Sequence, residues 1–301
     1  MELRKIAKAS VNRIQNYSCG KTLICRRNRF DMFENSNFKS PVFLSANISN
    51  ASDAFYNPQT EQAILVNTSG KAILYDIEKG IELTKLSFGY EMFSHIEILN
   101  DNQNFYYIDK KRQVRRLSLD GKYSKRVFRN EEEVSRIVFK NGYYYLFRRI
   151  AEQNISSYEI KCYKGEILVD KLKFTPEIRI CDGHWDLEEE KMVMSVYEKA
   201  AKENRILQRN FYVFIPESLE VIPLFANPLE WKVIYGYSSC LQAGLFAYAN
   251  GYTITVIDIE TGQIIAENIF GKMEEYSSDV EFLSPTELLI GTTNGLYLAE
   301  L

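Results

Sequence analysis

A chain of 301 residues, 46% hydrophobic and 13% aromatic, is long enough to bury a large core, and 20 Tyr and 18 Phe against 7 Pro exclude a disordered polymer. Its 37 basic and 40 acidic residues leave a net charge of −3, a balance that offers no general affinity for nucleic acid or an anionic membrane. The five cysteines, Cys19, Cys25, Cys162, Cys181 and Cys240, are odd in number and scattered, which fits buried thiols in a reducing compartment rather than a disulfide framework.

The first ten residues carry charge without an apolar core of signal-peptide length, and no later run approaches the roughly 18 apolar residues of a membrane span. A soluble cytoplasmic protein is expected. Residues Leu3 to Ala9 read as a strand that lacks a partner nearby in sequence.

From there the chain repeats. Ile73-Leu74-Tyr75-Asp76-Ile77-Glu78-Lys79-Gly80 and Thr255-Val256-Ile257-Asp258-Ile259-Glu260-Thr261-Gly262 are the same unit far apart: an aliphatic strand, an acidic residue and a glycine turn. Gly80, Gly121, Gly165 and Gly262 each follow one alternating strand and precede another, as hairpin turns between third and fourth strands do. Pro216-Glu217-Ser218 supplies the missing turn between the last two. A second marker runs in phase just before an apolar strand: Ser52-Asp53, Ser94-His95, Ser135-Arg136, Cys181-Asp182, Tyr237-Ser238 and Ser278-Asp279.

The units run 11–48, 49–88, 89–129, 130–174, 175–226, 227–270 and 271–301. Self-similarity at that period predicts an all-β fold, a β-propeller of seven four-stranded blades in one domain over 1–301, with six as the alternative count. The last unit holds only three strands, so the N-terminal strand is expected to complete it and close the last blade.

These residues resemble those of WD-repeat propellers, or of the quinoprotein-like type. Tyr75-Asp76 and Ile257-Asp258 are similar to that family's terminal Trp-Asp, and Asp53-Ala54-Phe55-Tyr56-Asn57-Pro58 followed by Ala63-Ile64-Leu65-Val66 is similar to its first two strands. The family's Gly-His pair has a single counterpart, Gly183-His184. The resemblance implies a binding scaffold.

Signals for catalysis are sparse. Two histidines, His95 and His184, exclude a multi-histidine metal cage, and Cys19 and Cys25 lack a second pair for a zinc site. Gly236-Tyr237-Ser238-Ser239-Cys240 has the first glycine of a nucleophile elbow without the second, in a strand context. No metal or cofactor is expected. The basic run at Lys110, Lys111, Arg112, Arg115 and Arg116 sits among tyrosines but is flanked by Glu131-Glu132-Glu133, which disfavours nucleic acid.

Equivalent positions of successive blades share one level, so Asp53, His95, Arg136, Asp182, Tyr237 and Asp279 are expected to line one end of a central channel. Such positions also serve any propeller by closing hydrogen bonds between blades. His184 and Trp185 lie beside that set. The insert from Glu198 to Arg209, with Lys202 and Arg205, has helical composition and is expected on the same face. The expected function is non-enzymatic: a protein-interaction module that binds a protein partner there. The rival is a hydrolase or lactonase-type propeller acting on a small molecule, with Asp53, Asp182 or Asp279 working with His95, Arg136 or His184.

Overall fold

The computed structural model describes residues 3–8, 10–17, 19–67, 69–87, 99–100, 104–109, 111–118, 124–131, 133–140, 142–152, 155–174, 179–186, 191–199, 206–226, 229–230, 237–250, 253–267 and 277–301. Among them every regular element is a strand. The fold is all-β, with seven antiparallel sheets that are the blades of a seven-bladed β-propeller.

Strand β1 (Leu3–Ala7) stands first in the chain. The first blade is β2 (Arg13–Tyr17), β3 (Lys21–Cys25), β4 (Phe30–Glu34) and β5 (Phe43–Leu44). The second is β6 (Ala51–Asn57), β7 (Gln62–Asn67), β8 (Lys71–Asp76) and β9 (Ile81–Ser87). The third is β10 (Leu99–Asn100), β11 (Asn104–Ile108), β12 (Val114–Ser118) and β13 (Ser124–Arg126). The fourth is β14 (Val134–Lys140), β15 (Tyr143–Glu152), β16 (Ile155–Lys164) and β17 (Ile167–Phe174). The fifth is β18 (Arg179–Asp186), β19 (Lys191–Lys199), β20 (Ile206–Ile215) and β21 (Glu220–Pro223), with β22 (Leu229–Glu230) as an extra strand on β20. The sixth is β23 (Tyr237–Gln242), β24 (Leu245–Asn250), β25 (Thr253–Asp258) and β26 (Ile264–Ala266). The seventh is β27 (Ser277–Ser284), β28 (Glu287–Thr292) and β29 (Leu296–Glu300), completed by β1 through Leu3↔Ala299 and Arg4↔Leu298.

The N-terminal strand therefore closes the last blade, as the repeat count required. Gly295 records how closely the two chain ends approach, since a Cβ there would lie 2.5 Å from Lys5 Cε and 2.7 Å from the Ala7 carbonyl oxygen.

The chain divides into two compact units, 1–26 with 32–42 and 176–301, and 27–31 with 43–175. Each is built from apolar layers between neighbouring blades, because alternate residues of a strand point to opposite faces and both faces of a blade are covered. In the first unit Val280, Phe282, Leu288 and Ile290 of the seventh blade pack on Cys240, Ala247 and Val256 of the sixth. Its other face sets Leu289, Leu296 and Leu298 against Val11, Ile14 and Ile24. In the second unit Tyr106, Val114, Ile137, Tyr144 and Leu146 join the third and fourth blades. A fully buried side chain such as Phe282 contributes about 2 kcal/mol to folding.

The acidic residue of the repeat has a local task. Asp76 Oδ1 accepts the Lys79 N–H at 2.9 Å, and Asp258 Oδ1 accepts the Glu260 and Thr261 N–H groups, each at 2.9 Å. The carboxylate thus caps the turn into the fourth strand. The glycine that follows has φ of 67° at Gly80, 61° at Gly165 and 68° at Gly262, the left-handed region the turn demands. Gly121 lies outside the described residues.

The second marker coincides with β-bulges. Pairing slips between Ala51 and Asp53, Val134 and Arg136, Ile180 and Asp182, and Ser277 and Asp279, so Ser52, Ser135, Cys181 and Ser278 are the extra residues of four first strands.

Two expectations are corrected. The segment from Glu198 to Arg209 is not helical where it is described: Glu198 pairs with Gln208 and Lys199 with Ile206, as extensions of β19 and β20. Ladder pairing overrides helical composition there. The sixth unit also begins later than 227, since Leu229 and Glu230 pair with Arg209 and Gln208 of the fifth blade.

Candidate functional site

A first strand lies at the edge of its sheet, so its outward N–H and C=O groups need partners from elsewhere. In the first unit, side chains of the preceding blade supply them. Asp279 of β27 accepts the Ile14 N–H of β2 at 2.6 Å through Oδ2, and its Oδ1 accepts the Ser238 hydroxyl of β23. Ser238 Oγ in turn accepts the Val280 N–H at 3.0 Å. Glu281, two residues beyond Asp279, accepts the Asn16 N–H, and Asn16 Nδ2 donates to the Phe282 carbonyl at 2.9 Å. Ser278 Oγ donates to the Val11 carbonyl at 2.5 Å. Strands β23, β27 and β2 are thus linked in series: the Val280 N–H of β27 is met from β23, and the Ile14 and Asn16 N–H groups of β2 are met from β27.

The electrostatics follow from burial. Desolvation, with the Asp279 charge adding to it, pushes the Glu281 carboxyl well above the usual range, while Arg13 and the Asn16 N–H act in the opposite direction. Burial likewise raises the Cys240 thiol, with Glu281 and Asp279 reinforcing it, so that cysteine is an inert core residue. A carboxyl whose pKa is pushed up beside a second carboxyl is an arrangement suited to acid–base chemistry. Here both oxygens of Asp279 are occupied by hydrogen bonds from within the fold, and the geometry describes a joint.

The sequence-derived residues fall out as follows. Asp279 is half-buried in the joint just described. Arg136 is half-buried in β14, opposite Phe147, and the adjacent Ser135 hydroxyl donates to the Phe147 carbonyl at 3.0 Å. Asp53 stands in β6, Asp182, His184 and Trp185 in β18, and Tyr237 in β23; their side chains lie outside the described set. His95, Lys202 and Arg205 lie outside the described residues altogether. In the Tyr237-Ser238 pair it is Ser238 that matches Asp279, since each caps the next first strand. The elbow-like Ser238 is likewise held by Asp279 and Val280.

Sequence reasoning missed Glu281 and Asn16, which carry no motif. It also missed the joint between the third and fourth blades in the second unit. There buried Glu131 accepts Lys161 Nζ at 2.9 and 2.8 Å and the Tyr163 hydroxyl at 2.5 Å, and the Tyr106 and Tyr144 hydroxyls meet at 2.8 Å. Among the described residues no group of three or more His, Cys, Asp or Glu side chains is placed to hold a metal ion. Nor is any helix long and apolar enough to cross a membrane.

A protein of this architecture belongs to the β-propeller class. No protein-family model matches the chain, and no curated protein matches it in sequence. Among solved structures it is similar to Kuenenia stuttgartiensis hydrazine synthase, with a TM-score of 0.71 over 99% of this chain and 97% of that one, at 10% sequence identity. Likeness at that identity establishes the fold and nothing of the chemistry.

Proposed function

We propose that this chain is a non-enzymatic, cytoplasmic protein-interaction module, a divergent relative of the WD-repeat or quinoprotein-like propellers. The observation that carries the reading is the length of two hairpins. Strands β15 and β16 have 10 residues each and β19 and β20 have 9 and 10, whereas second and third strands of the other blades have 5 or 6. The added length extends past the span that the other blades use for their core, and elaboration of one set of hairpins in a repeat fold marks a binding surface. Turns between second and third strands emerge on the side where first strands begin. The partner surface we propose therefore combines Asp53, His95, Arg136, Asp182, His184, Trp185 and Tyr237 with Lys202 and Arg205. Asp279 drops out of that set because its carboxylate serves the joint.

The test is capture of partners from the native cell, identified by mass spectrometry, with wild type and with a variant combining Arg136→Glu and a short Gly-Ser linker in place of 200–205. Loss of the captured partner at an unchanged melting temperature is the expected result. Retention of every partner would remove the surface, and a turnover abolished by alanine at Asp53, Asp182 or His95 would favour the rival hydrolase reading.

A further inference from the structure

We infer that the outer half of the third blade binds a phosphate monoester, with Arg116 of β12 and Lys125 of β13 as its ligands. This goes beyond the interaction-module reading and uses no residue of the hairpin face.

Strand β12 meets β13 through two basic pairs in succession, Arg115 opposite Arg126 and Arg116 opposite Lys125. Like charges set opposite each other, with Cβ atoms about 5 Å apart, destabilise a ladder. No other described ladder sets two basic pairs in succession. The first pair is compensated: Arg115 Nε donates to Asp109 Oδ2 at 2.7 Å, and Arg126 donates to the Arg129 and Glu131 carbonyls at 2.7 and 3.3 Å. The second pair meets no carboxylate among the described residues. Arg116 is half-buried, its Nε–H shut from solvent and without a hydrogen-bond partner among those residues, while Lys125 is exposed. Charge on an outermost strand guards against edge pairing, which accounts for Lys125 and Arg126 but not for a half-buried guanidinium on β12.

The neighbouring acids are committed elsewhere. Glu131 and Glu159 both lie on Lys161, at 2.8 and 3.6 Å, and Asp109 holds Arg115. Glu131 therefore does not neutralise the basic run that it adjoins in sequence, and Glu133 is exposed at the turn before β14. Exposed Arg112 and Arg129 add to the positive field, and the sequence brings Lys110 and Lys122 against Asp120. A compact dianion answers that charge. The guanidinium offers a planar fork and the ammonium a point charge, and a phosphate monoester carries about −1.5 to −2 at neutral pH. A single carboxylate would leave one of the two cations unmatched. A nucleic-acid strand fits worse, because Tyr106 and Tyr107 beside the run are 4% and 5% exposed and give a base nothing to stack on.

The experiment uses the full chain and inorganic phosphate, read as melting temperature, with chloride and acetate at matched ionic strength as comparisons. Phosphate should raise the wild-type midpoint and the other two anions should not. Arg116→Gln should abolish that rise while leaving the phosphate-free midpoint unchanged or higher, since a like-charge pair is relieved. Lys125→Gln should weaken the phosphate response by about tenfold in affinity. Equal midpoints in the three anions would overturn the site, and so would a phosphate response that both variants keep. Should Arg116→Gln fail to fold, Lys125→Gln decides alone, and an unchanged response there overturns the site. A fluorescein-labelled peptide with one phosphoserine, read by anisotropy against its unphosphorylated form, separates the sources. A preference of about tenfold puts the monoester on a protein, whereas equal binding with the thermal response intact puts it on a small molecule. A single-stranded DNA of about 20 nucleotides that binds more tightly than the phosphopeptide and weakens steeply with salt would overturn the monoester in favour of a polymer track. Retention of every native partner by the hairpin variant would remove the hairpin face and leave the phosphate response standing.

Discussion

Two blade joints, one in each unit, solve the same problem with different chemistry. At the joint of β23, β27 and β2 the acceptors are carboxylates and a hydroxyl, and the donors are backbone N–H groups of edge strands. At the joint of the third and fourth blades the carboxylate of Glu131 meets an ammonium and a phenol, while the backbone is stitched separately by Val134 N–H to the Arg112 carbonyl at 3.0 Å. The first arrangement lets side chains stand in for a missing strand. The second sets Lys161 between two carboxylates, Glu131 at 2.8 Å and Glu159 at 3.6 Å, so the charged groups depend on one another for their solvation. The lesson is that a polar residue at a first-strand marker position need not face a ligand, because the strand edge itself needs acceptors.

The comparison breaks most visibly at Glu131. Glu131→Ala should cost about 3–4 kcal/mol in denaturant unfolding, because Lys161 keeps only the Glu159 carboxylate at 3.6 Å and the Tyr163 hydroxyl loses its acceptor. Asp279→Ala should cost less, about 2–3 kcal/mol, since it strands one N–H and one hydroxyl but no opposite charge. If the two losses were equal, the distinction between the joints would fail.

A control should give the same answer in both units. Gly80→Val and Gly262→Val each force a β-branched residue to φ near 67–68°, with no atom closer than 3.8 Å to the added Cβ, so each should lower stability by about 1–2 kcal/mol through backbone strain alone. A large inequality would mean that one turn matters beyond its dihedral.

The smallest effect is the pH response of Glu281. Its carboxyl is raised in the folded protein, so over the interval above the ordinary Glu range the folded state holds a proton that the unfolded state has released. Stability from this group is therefore fully present at low pH and falls as pH rises through that interval. Glu281→Gln should flatten the decline, measured as melting temperature against pH; an unchanged profile would show that the group ionises normally in the fold.

Much of the fold was readable because its signals are local. Positive φ at Gly80, Gly165 and Gly262 and the Asp76 and Asp258 caps are turn chemistry, written within a few residues of themselves. The first residues of four marker pairs proved to be bulges, a regularity visible in sequence as spacing even though its meaning was not. What failed was non-local. Nothing in Leu229 or Glu230 announces a partner some 20 residues back in β20, and composition around Lys199 favours helix until the ladder to Ile206 decides otherwise. Glu131 and Glu281 were invisible for the same reason: each is an ordinary glutamate whose character comes from burial between two blades.

The pairing of β1 with β29 has a consequence for how the protein is made. Leu3 and Ala299 lie side by side although nearly 300 residues separate them, so β1, synthesised long before β29, cannot find its ladder until β29 has followed. The entropy of closing so long a loop grows only slowly with length, but the contact itself is as non-local as this chain allows, and such contacts slow folding. A ribosome-bound chain would therefore carry β1 as a waiting strand, with Leu3 and Ile6 uncovered and exposed to pairing with other nascent chains. Each earlier blade can complete itself from its own four strands as it emerges. The seventh is the clasp, the one blade whose assembly waits for both ends of the fold.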